Sequence, residues 1–440
     1  MNYTDPTSLS PYRLAITDTN ENGDGFARID RLAVFTPGLV AGDTAEVVLV
    51  ESRKNYAVGR CERLVTPSEH RIEPVCPSFG VCGGCTLCHV TYDFENTVKQ
   101  NCVKSALRRM KLPHELVEPT RCMPERTGYR NKIGLHFDPA ARRFGYYARD
   151  SYEILPFNGC KLCSDRMNEI VFHINTHIEL LEPLAPTDLF LRRSHDGTIT
   201  VSVYGSGKTA DIVPCRTALT AEFPEIGDVL LITGDKSAAE TCITEDYLGV
   251  SMRFASEVFR QVNHDAAEIL LKLVCDFAAE KPFSYAADLY CGSGVFGLVL
   301  AKRFPQARFF GLEIDRDAIR EAKANASRNG LTNIEFVCAD AATFNGKIPD
   351  GNGSFYPPCE AKEPEFVVVD PPRAGLSDKM REGLVKLAPE RLAYVSCNPQ
   401  TMSRDLAELV RGGYVIERVT PVNMFPMTKH CECVVCLRRC

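Results

Sequence analysis

Long apolar runs, secretory signals and internal repeats are all absent from this 440-residue sequence. No apolar stretch approaches the roughly 20 residues that a membrane-spanning helix requires. The first residues, 1–5, contain neither a basic nor an apolar stretch, so we predict no signal peptide. These absences argue against a membrane or secreted protein. They predict a cytoplasmic protein, with two or three domains at this length.

The chain contains 20 cysteines, although its 45% hydrophobic and 25% charged residues are ordinary values for a globular protein. Without export, these cysteines would face a reducing compartment, where disulfides rarely persist. Clustered cysteines therefore indicate metal binding or catalysis.

The net charge of −6 argues only weakly against a nucleic-acid partner, because the charge is unevenly distributed. Residues 99–149 contain twelve Lys and Arg against four Asp and Glu. Phosphate contacts and base stacking need such a basic segment with aromatic residues in it. A solvated face with core aromatics explains the composition equally well, so both interpretations stay open. The residues concerned are Arg108, Arg109, Lys111, Arg130, Lys132, Arg142, Arg143, Tyr129, Phe144, Tyr146 and Tyr147.

Three segments of different pattern follow one another, and together they predict an α/β protein. Residues 8–67 show short alternating apolar runs broken by Gly and Pro turns, which predicts a small β-barrel of the oligonucleotide-binding type. Residues 68–256 have a mixed α/β pattern with a helix near 92–111 that we expect to pack on the last domain. In residues 257–440, strands and helices alternate, which predicts a doubly wound, Rossmann-like domain.

This last segment has the most regular pattern. A helix is predicted at 264–279, and the residues 344–364, rich in Gly and Pro, predict a long surface loop. Strands are predicted at 285–290, 308–313, 334–338, 365–369 and 392–396.

A glycine-rich turn joins the first of these strands to a helix. Residues 288–297 contain G-x-G-x-x-G, and Glu313 ends the next strand, where an acidic residue can hold a ribose diol. This pattern alone admits either a nicotinamide cofactor or S-adenosylmethionine. Residues 370–376 begin Asp-Pro-Pro after a buried strand, and such a rigid acidic loop suits methyl transfer to a base. The two motifs together favour S-adenosylmethionine.

A cysteine follows the last predicted strand, in Ser396-Cys397-Asn398-Pro399. Open α/β sheets bind their ligands at this edge. Because a thiolate adds readily to an electron-poor carbon near neutral pH, Cys397 is a candidate nucleophile. A packed core cysteine is the alternative, since free cysteine is among the most buried residue types.

Another group of cysteines has the spacing of metal ligands. Cys76, Cys82 and Cys85 lie close together in the sequence, and Cys160 follows far downstream. Four thiolates can hold either a [4Fe–4S] cluster or zinc, and the spacing does not separate the two. The C-x3-C-x2-C spacing of radical enzymes is absent, which argues against radical methyl transfer.

Further cysteines compete for the ligand positions. Cys88 extends the run, and we interpret it as an extra thiol, whereas Cys163 competes with Cys160 for the fourth position, for which we favour Cys160. The C-terminal cysteines are interpreted as packed or exposed thiols, with metal binding as the alternative. They are Cys431, Cys433, Cys436 and Cys440.

The motifs occur in an order that closely resembles the RNA uracil-5-methyltransferases. Residues 23–26, 35–38 and 42–43 also look like a TRAM barrel, an RNA-binding module. The resemblance covers nearly the whole chain. The barrel and the cysteine set make it most similar to the branch of the family that methylates 23S rRNA and carries an iron–sulfur cluster. The remaining matching blocks are residues 259–263, 288–294, 370–375, 396–399 and 430–432.

The resemblance implies a covalent mechanism that suits the chemistry of these residues. Addition of the Cys397 thiolate to C6 of uracil would make C5 enolate-like and able to accept a methyl group. A base must then remove the C5 proton so that the cysteine is eliminated, and Glu432 matches the family's base.

The resemblance also implies cofactors and partners. It favours a [4Fe–4S] cluster over zinc, and 23S rRNA as the substrate with tRNA as the alternative. We expect a monomer without an obligatory protein partner. A non-catalytic iron–sulfur protein that binds RNA or acts in redox chemistry is a third hypothesis, but it gives the Cys397 and Glu432 pair no function. The implied S-adenosylmethionine site comprises Gln261, Tyr290, Gly292, Gly294, Glu313, Asp340 and Asp370.

Overall fold

The protein is described by a computed structural model that contains three main sheets. None of the helices in the described part of the chain is long and apolar enough to cross a membrane. The described residues are 10–20, 22–234, 236–237, 242–255, 260–341, 348–349, 355–356 and 364–440.

The first sheet forms a small barrel-like unit with its own apolar core. Alternating residues of its strands point inwards, among them Leu14, Val34 and Val47. The buried carboxylate of Asp43 accepts hydrogen bonds from the backbone of Ser68 (2.9 Å) and from Arg71, so it ties the unit to the segment that follows. The strands, in the order β1-β5-β6-β4-β3-β2, are β1 Tyr12–Ala15, β2 Asp18–Thr19, β3 Gly25–Ile29, β4 Leu32–Thr36, β5 Thr44–Ser52 and β6 Tyr56–Thr66.

The second sheet follows a long helix, α1 (Tyr92–Arg109), and has seven strands in the order β13-β12-β11-β10-β7-β8-β9. Helices α2 and α3 contribute to the core on one of its faces. Short 3-10 turns lie at His114–Leu116, Ile178–Leu180, Glu182–Leu184 and Thr209–Asp211. The elements are β7 Lys132–Asp138, β8 Arg143–Tyr147, β9 Ile154–Pro156, α2 Asp165–Thr176, β10 Pro186–Arg193, β11 Ile199–Gly205, α3 Ile212–Glu222, β12 Ile226–Thr233 and β13 Lys236–Ser237.

A hairpin and a large sheet complete the chain. The hairpin consists of β14 (Cys242–Tyr247) and β15 (Val250–Ala255). The sheet has the order β18-β17-β16-β21-β22-β24-β23, parallel except for the pairs that β24 makes with β22 and β23. Its elements, and one further short hairpin β19–β20, are α4 His264–Ala279, β16 Tyr285–Leu289, α5 Val295–Arg303, β17 Arg308–Glu313, α6 Arg316–Arg328, β18 Ile334–Cys338, β19 Ile348–Pro349, β20 Phe355–Tyr356, β21 Phe366–Val369, α7 Asp378–Leu387, β22 Arg391–Ser396, α8 Pro399–Arg411, β23 Tyr414–Val422 and β24 Glu432–Arg439.

Helix α1 packs on this last sheet although it precedes the second one in sequence. Its Val103 and Leu107 are fully buried and share an apolar cluster with Leu406 of α8 and Val419 of β23. The amide of Glu118, after α1, donates to the carbonyl of Val419 (2.9 Å). Residues of α1 therefore belong to the core of the last sheet, whereas the first and second sheets have cores of their own.

The predicted strands and helices of the last sheet agree with the structure to within one or two residues. The predicted loop 344–364 lies mostly outside the described residues, apart from β19 and β20, and so does residue 259 of the block 259–263. Near the C-terminus, Cys433 and Cys436 belong to apolar clusters on opposite faces of the sheet, as the alternation of side chains along a strand requires.

Candidate active site and cysteine cluster

The carboxyl ends of the parallel strands bring most of the predicted site residues to one edge of the sheet. Tyr290 follows β16, Glu313 ends β17, Asp340 follows β18, Asp370 follows β21 and Cys397 follows β22. In an open α/β sheet this edge is where ligands bind.

The glycine-rich turn after β16 has a backbone that a ligand can approach closely. Gly292 and Gly294 have positive φ angles of 51° and 83°. A Cβ atom on Gly294 would lie 2.6 Å from the Phe336 ring, whereas the space beside Gly292 is open. The amide of Gly292 donates to Glu313 Oε2 (3.1 Å), so Glu313 is held at the rim of this space. Open backbone beside an acidic side chain fits an adenosine ligand.

A buried carboxyl group, Asp288, and a half-buried one, Asp370, lie beneath this edge. Asp288 Oδ2 accepts from the amide of Gly297 (2.8 Å), but its buried Oδ1 has no hydrogen-bond partner in the described structure. Burial, with a contribution from Asp370, raises the pKa of Asp288 to about 7, and burial raises the pKa of Asp370 to about 7. Because burial penalises their negative charges, this environment suits a cationic ligand such as a sulfonium.

Gln261 belongs to a separate segment that precedes α4. Its carbonyl accepts from Asn131 Nδ2 (3.0 Å), and the nearby Asn263 Nδ2 donates to the carbonyl of Met424 (2.8 Å). The segment is thus anchored between the second sheet and the chain that follows β23.

Cys397 directly follows β22 and Glu432 begins the neighbouring strand β24, and the register of the two strands brings these residues opposite one another. β22 and β24 pair antiparallel, with Ser396 opposite Cys433. Continuing this register by one residue places Cys397 opposite Glu432. Asn398 Oδ1 accepts from the amide of Gln400 (3.0 Å) and caps α8, so the cysteine is held between a strand end and a helix start.

The acidic groups around Cys397 influence one another. Burial, then Glu432 and Asp370, raise the pKa of Cys397 to about 11, and Arg373 opposes this effect. Burial, then Asp370 and Cys431, raise the pKa of Glu432 well above its usual range, again against Arg373. The structure therefore adds Arg373 to the site. The sequence had placed it in a motif but had given it no role.

The cysteines with ligand-like spacing also come together. Burial raises the pKa of Cys85, and the neighbouring thiols Cys160, Cys76, Cys88 and Cys82 raise it further. Thiols from two distant segments therefore surround one place, and this donor set fits a thiolate-ligated metal group.

Cys160 and Cys163 have different environments. A hydrogen bond from the Cys163 thiol is the main cause that lowers the pKa of Cys160 to about 6, while Cys163 itself is buried and its pKa is raised. Cys160 packs in the same cluster as Cys76 and Cys85, whereas Cys163 belongs to the core of the second sheet, so Cys160 is the better placed of the two. The Asn168 side chain holds the backbone of Cys160, accepting from its amide (2.7 Å).

The C-terminal cysteines differ in burial. Cys431, Cys433 and Cys436 are buried, and Cys440 is exposed. The first three occupy the apolar core, as packed thiols do.

One compact group of metal-ligand residue types was not predicted. Ligand atoms of His195, Glu245 and His264 lie within 4.8 Å of one another. Glu245 Oε2 is hydrogen-bonded to His264 Nδ1 (3.0 Å), and Oε1 accepts from the buried Arg260. Both carboxylate oxygens are therefore engaged beside a guanidinium that repels cations, and we interpret the group as an ion-pair network.

The basic segment 99–149 divides between surface and core. Lys99 and Phe144 are buried, so part of the segment is structural. Tyr147 is exposed and stacks on His136 with 3.8 Å between ring centroids. Arg108, Arg109 and Lys111 are exposed at the end of α1. The buried part of the segment is structural, and RNA contact by its exposed residues stays a prediction.

Comparison with known proteins identifies the two modules. The family model described as tRNA (uracil-5-)-methyltransferase matches residues 240–440. The TRAM domain matches residues 10–61. The crystal structure of the Pyrococcus abyssi tRNA (uracil-54, C5)-methyltransferase with S-adenosyl-L-homocysteine is similar in fold, with a TM-score of 0.74 and 23% identity, covering 97% of this chain and 100% of that one. The family match and the fold define a class I S-adenosylmethionine-dependent methyltransferase.

Relatives that match this chain over nearly its full length narrow the class to enzymes that methylate RNA. An uncharacterized RNA methyltransferase of Gloeobacter violaceus is 31% identical over 96% of this chain and 95% of its own length. One of Clostridium acetobutylicum is 30% identical over 97% of both chains. The chain belongs to the RNA uracil-5-methyltransferase family, and it is an S-adenosylmethionine-dependent enzyme that acts on RNA.

Arg373→Met should make the Cys397 thiol less reactive. The substitution removes the cation that opposes the raised pKa of Cys397, so at mildly alkaline pH the thiolate fraction should fall by roughly two- to fivefold. In both proteins alkylation should accelerate as pH rises, because the reactive form is deprotonated. The measurement is the rate of Cys397 alkylation without RNA, followed by peptide mass spectrometry. Lys379→Met, which removes an exposed charge on α7, is the control, and an equal effect there would refute the role of Arg373.

Proposed function

We propose that this enzyme forms 5-methyluridine in 23S rRNA through a covalent intermediate on Cys397. The observation that supports the proposal most directly is the position of Cys397 opposite Glu432, at the sheet edge that also carries Asp370. A nucleophile and a base are both required at C5 and C6 of uracil, and this pair supplies them.

Each residue has one bond to make or break. The Cys397 thiolate forms a bond to C6, and the electrons of the C5–C6 double bond move towards O4 as an enolate. S-adenosylmethionine, when bound, supplies the methyl group that C5 receives. Glu432 then takes the C5 proton, the C5–C6 double bond reforms and the C6–S bond breaks, which returns Cys397 as thiolate. A carboxylate whose pKa is raised by burial is a stronger base for this transfer.

The methyl donor is assigned to the edge described above. Glu313 would hold the ribose diol, and the turn containing Gly292 and Gly294 would let the donor approach the backbone. The adenine would lie towards Asp340. The full proposed set is Gln261, Tyr290, Gly292, Gly294, Glu313, Asp340 and Asp370.

We also propose that Cys76, Cys82, Cys85 and Cys160 hold a [4Fe–4S] cluster. Thiolates around a single zinc ion lie about 4 Å apart, as Zn–S bonds of about 2.3 Å require. Within the described residues, the group whose ligand atoms all lie within 4.8 Å contains none of these cysteines. Within the described residues, no three of these thiols therefore form so tight a group, and this supports a cluster rather than one ion.

The choice of 23S rRNA rests on the TRAM barrel together with the cysteine set. tRNA is the second candidate, because the matching family description and the similar Pyrococcus abyssi enzyme both name tRNA. The family description that names tRNA matches only residues 240–440.

The purified protein should transfer a labelled methyl group to unmodified 23S rRNA and not to unmodified tRNA. The substrates are the two RNAs transcribed in vitro, and nucleoside digestion should give 5-methyluridine. Label in tRNA alone would show that tRNA is the substrate instead of 23S rRNA. If protein that binds the methyl donor labels neither RNA, both substrate assignments are wrong.

Substitutions of Cys397 and Glu432 should separate the two halves of the reaction. Wild type should form a stable adduct with RNA that contains 5-fluorouridine, because fluorine at C5 cannot be removed as a proton. Cys397→Ala should form none, while Glu432→Gln should accumulate an adduct with natural RNA. Turnover should fall by roughly 100-fold or more in both variants. Denaturing gels detect the adduct. An adduct with Cys397→Ala, or fast turnover by Glu432→Gln, would contradict the assignments.

Cys160→Ser should lose bound iron and the visible absorption of the cluster after anaerobic purification. Cys163→Ser is the matched control, and we expect it to retain iron close to four atoms per chain, as a [4Fe–4S] cluster requires. Iron analysis and absorption spectra measure both. Loss of iron from Cys163→Ser alone would exchange the roles of the two residues, and zinc in the native protein would exclude the cluster.

A further inference from the structure

Glu95 on α1 is a fully buried carboxylate with four donors around it. Glu95 Oε1 accepts from Lys99 Nζ, Asn423 Nδ2 and the amide of Met427, each at 2.9 Å. Oε2 accepts from Arg126 Nη2 at 3.0 Å. Two of the donors are cations from the first half of the chain, and two belong to residues 423–431, the segment that joins β23 to β24. We call this segment the base loop, because Glu432 follows it directly.

One of these cations, Lys99, also holds the base loop directly. Lys99 Nζ also donates to Asn423 Oδ1 (2.5 Å) and to the carbonyl of Phe425 (3.0 Å). Lys99 is therefore hydrogen-bonded to Glu95 and to two residues of the loop. These contacts fix the first half of the loop to α1.

Met427 links the base loop to residues 76–88, which we call the cysteine segment. Its carbonyl accepts from the amide of Leu87 (2.9 Å), and its side chain packs with Cys88 and Leu162, next to Cys76, Cys85 and Cys160. Met427 has a φ of 65°, in the left-handed region that methionine rarely adopts. Such a conformation persists only where surrounding contacts enforce it, and the hydrogen bond to Glu95 is one of them.

A buried charge has a large effect when a partner is removed. Glu95 is the carboxylate that forms ion pairs with both Lys99 and Arg126, so its loss leaves charge uncompensated in the interior. Its contacts with Asn423 and Met427 mean that the resulting rearrangement falls on the base loop. A displacement of about 1 Å is enough to reduce catalysis substantially.

We propose that Glu95 is a positioning residue for the base Glu432, acting through the base loop. The proposal rests on the proposed function, in which Glu432 removes the C5 proton. Glu95 itself does not contact the reacting atoms. It holds the loop that leads into Glu432. Through Met427 it also couples this loop to the cysteine segment.

Glu95→Gln tests this role because glutamine keeps an acceptor for the loop but loses the negative charge. We expect kcat on natural RNA to fall by roughly 10- to 100-fold with little change in KM, and the natural RNA adduct to accumulate. Trapping by 5-fluorouridine RNA should stay close to the wild-type rate, because it needs Cys397 but no base.

Glu118→Gln is the matched control. Glu118 Oε2 accepts from Thr420 Oγ1 (2.7 Å) and so joins the same part of the chain to β23, but ahead of the base loop. It should leave the rate of elimination unchanged. Asn423→Ala, which spares the buried ion pairs, should show the Glu95→Gln pattern more weakly and provides the test if Glu95→Gln does not fold.

The outcomes separate this inference from the proposed function. Wild-type turnover by folded Glu95→Gln, or an equal loss of trapping and turnover in both Glu95→Gln and Asn423→Ala, would overturn the positioning role. Failure of Glu432→Gln to accumulate the natural adduct would instead overturn the base assignment itself.

Discussion

The pairing register of β22 with β24 is the constraint on which the site depends. Ser396 lies opposite Cys433, and this single alignment sets Cys397 beside Glu432. Side chains alternate between faces along a strand, so a slip of one residue would turn Glu432 to the other side of the sheet. The apolar residues of β24 pack on both faces, and they fix the register because a slip would misplace all of them.

The sheet edge carries more acidic side chains than cationic ones. Burial raises the pKa of Asp288, Asp370, Glu432 and the Cys397 thiol, and neighbouring acidic groups raise it further for all of them except Asp370. A cation that enters such a place favours ionisation of the groups around it. Nucleophile, base and ligand site are therefore electrostatically linked, and a change at one alters the protonation of the others.

The sequence predicted the strands and the edge residues well, because buried strands and their terminal motifs are local signals. It did not predict that β24 enters between β22 and β23, since periodicity identifies a strand without identifying its neighbours. It also missed the role of Glu95. Glu95 and Lys99 are spaced as an ordinary surface ion pair on a helix, and Lys99 counted towards the basic segment. Their partner Asn423 is distant in sequence, and only the fold brings it near.

The packing of α1 against α8 and β23 limits how the family can recombine. A chimaera that joins the catalytic half of one relative to the front half of another would bring together two helix faces that evolved apart. Val103 and Leu107 would meet a foreign surface, and an apolar mismatch of this kind leaves cavities or overlaps in the core. Exchange of modules is thus expected to be resisted wherever the junction separates α1 from the last sheet.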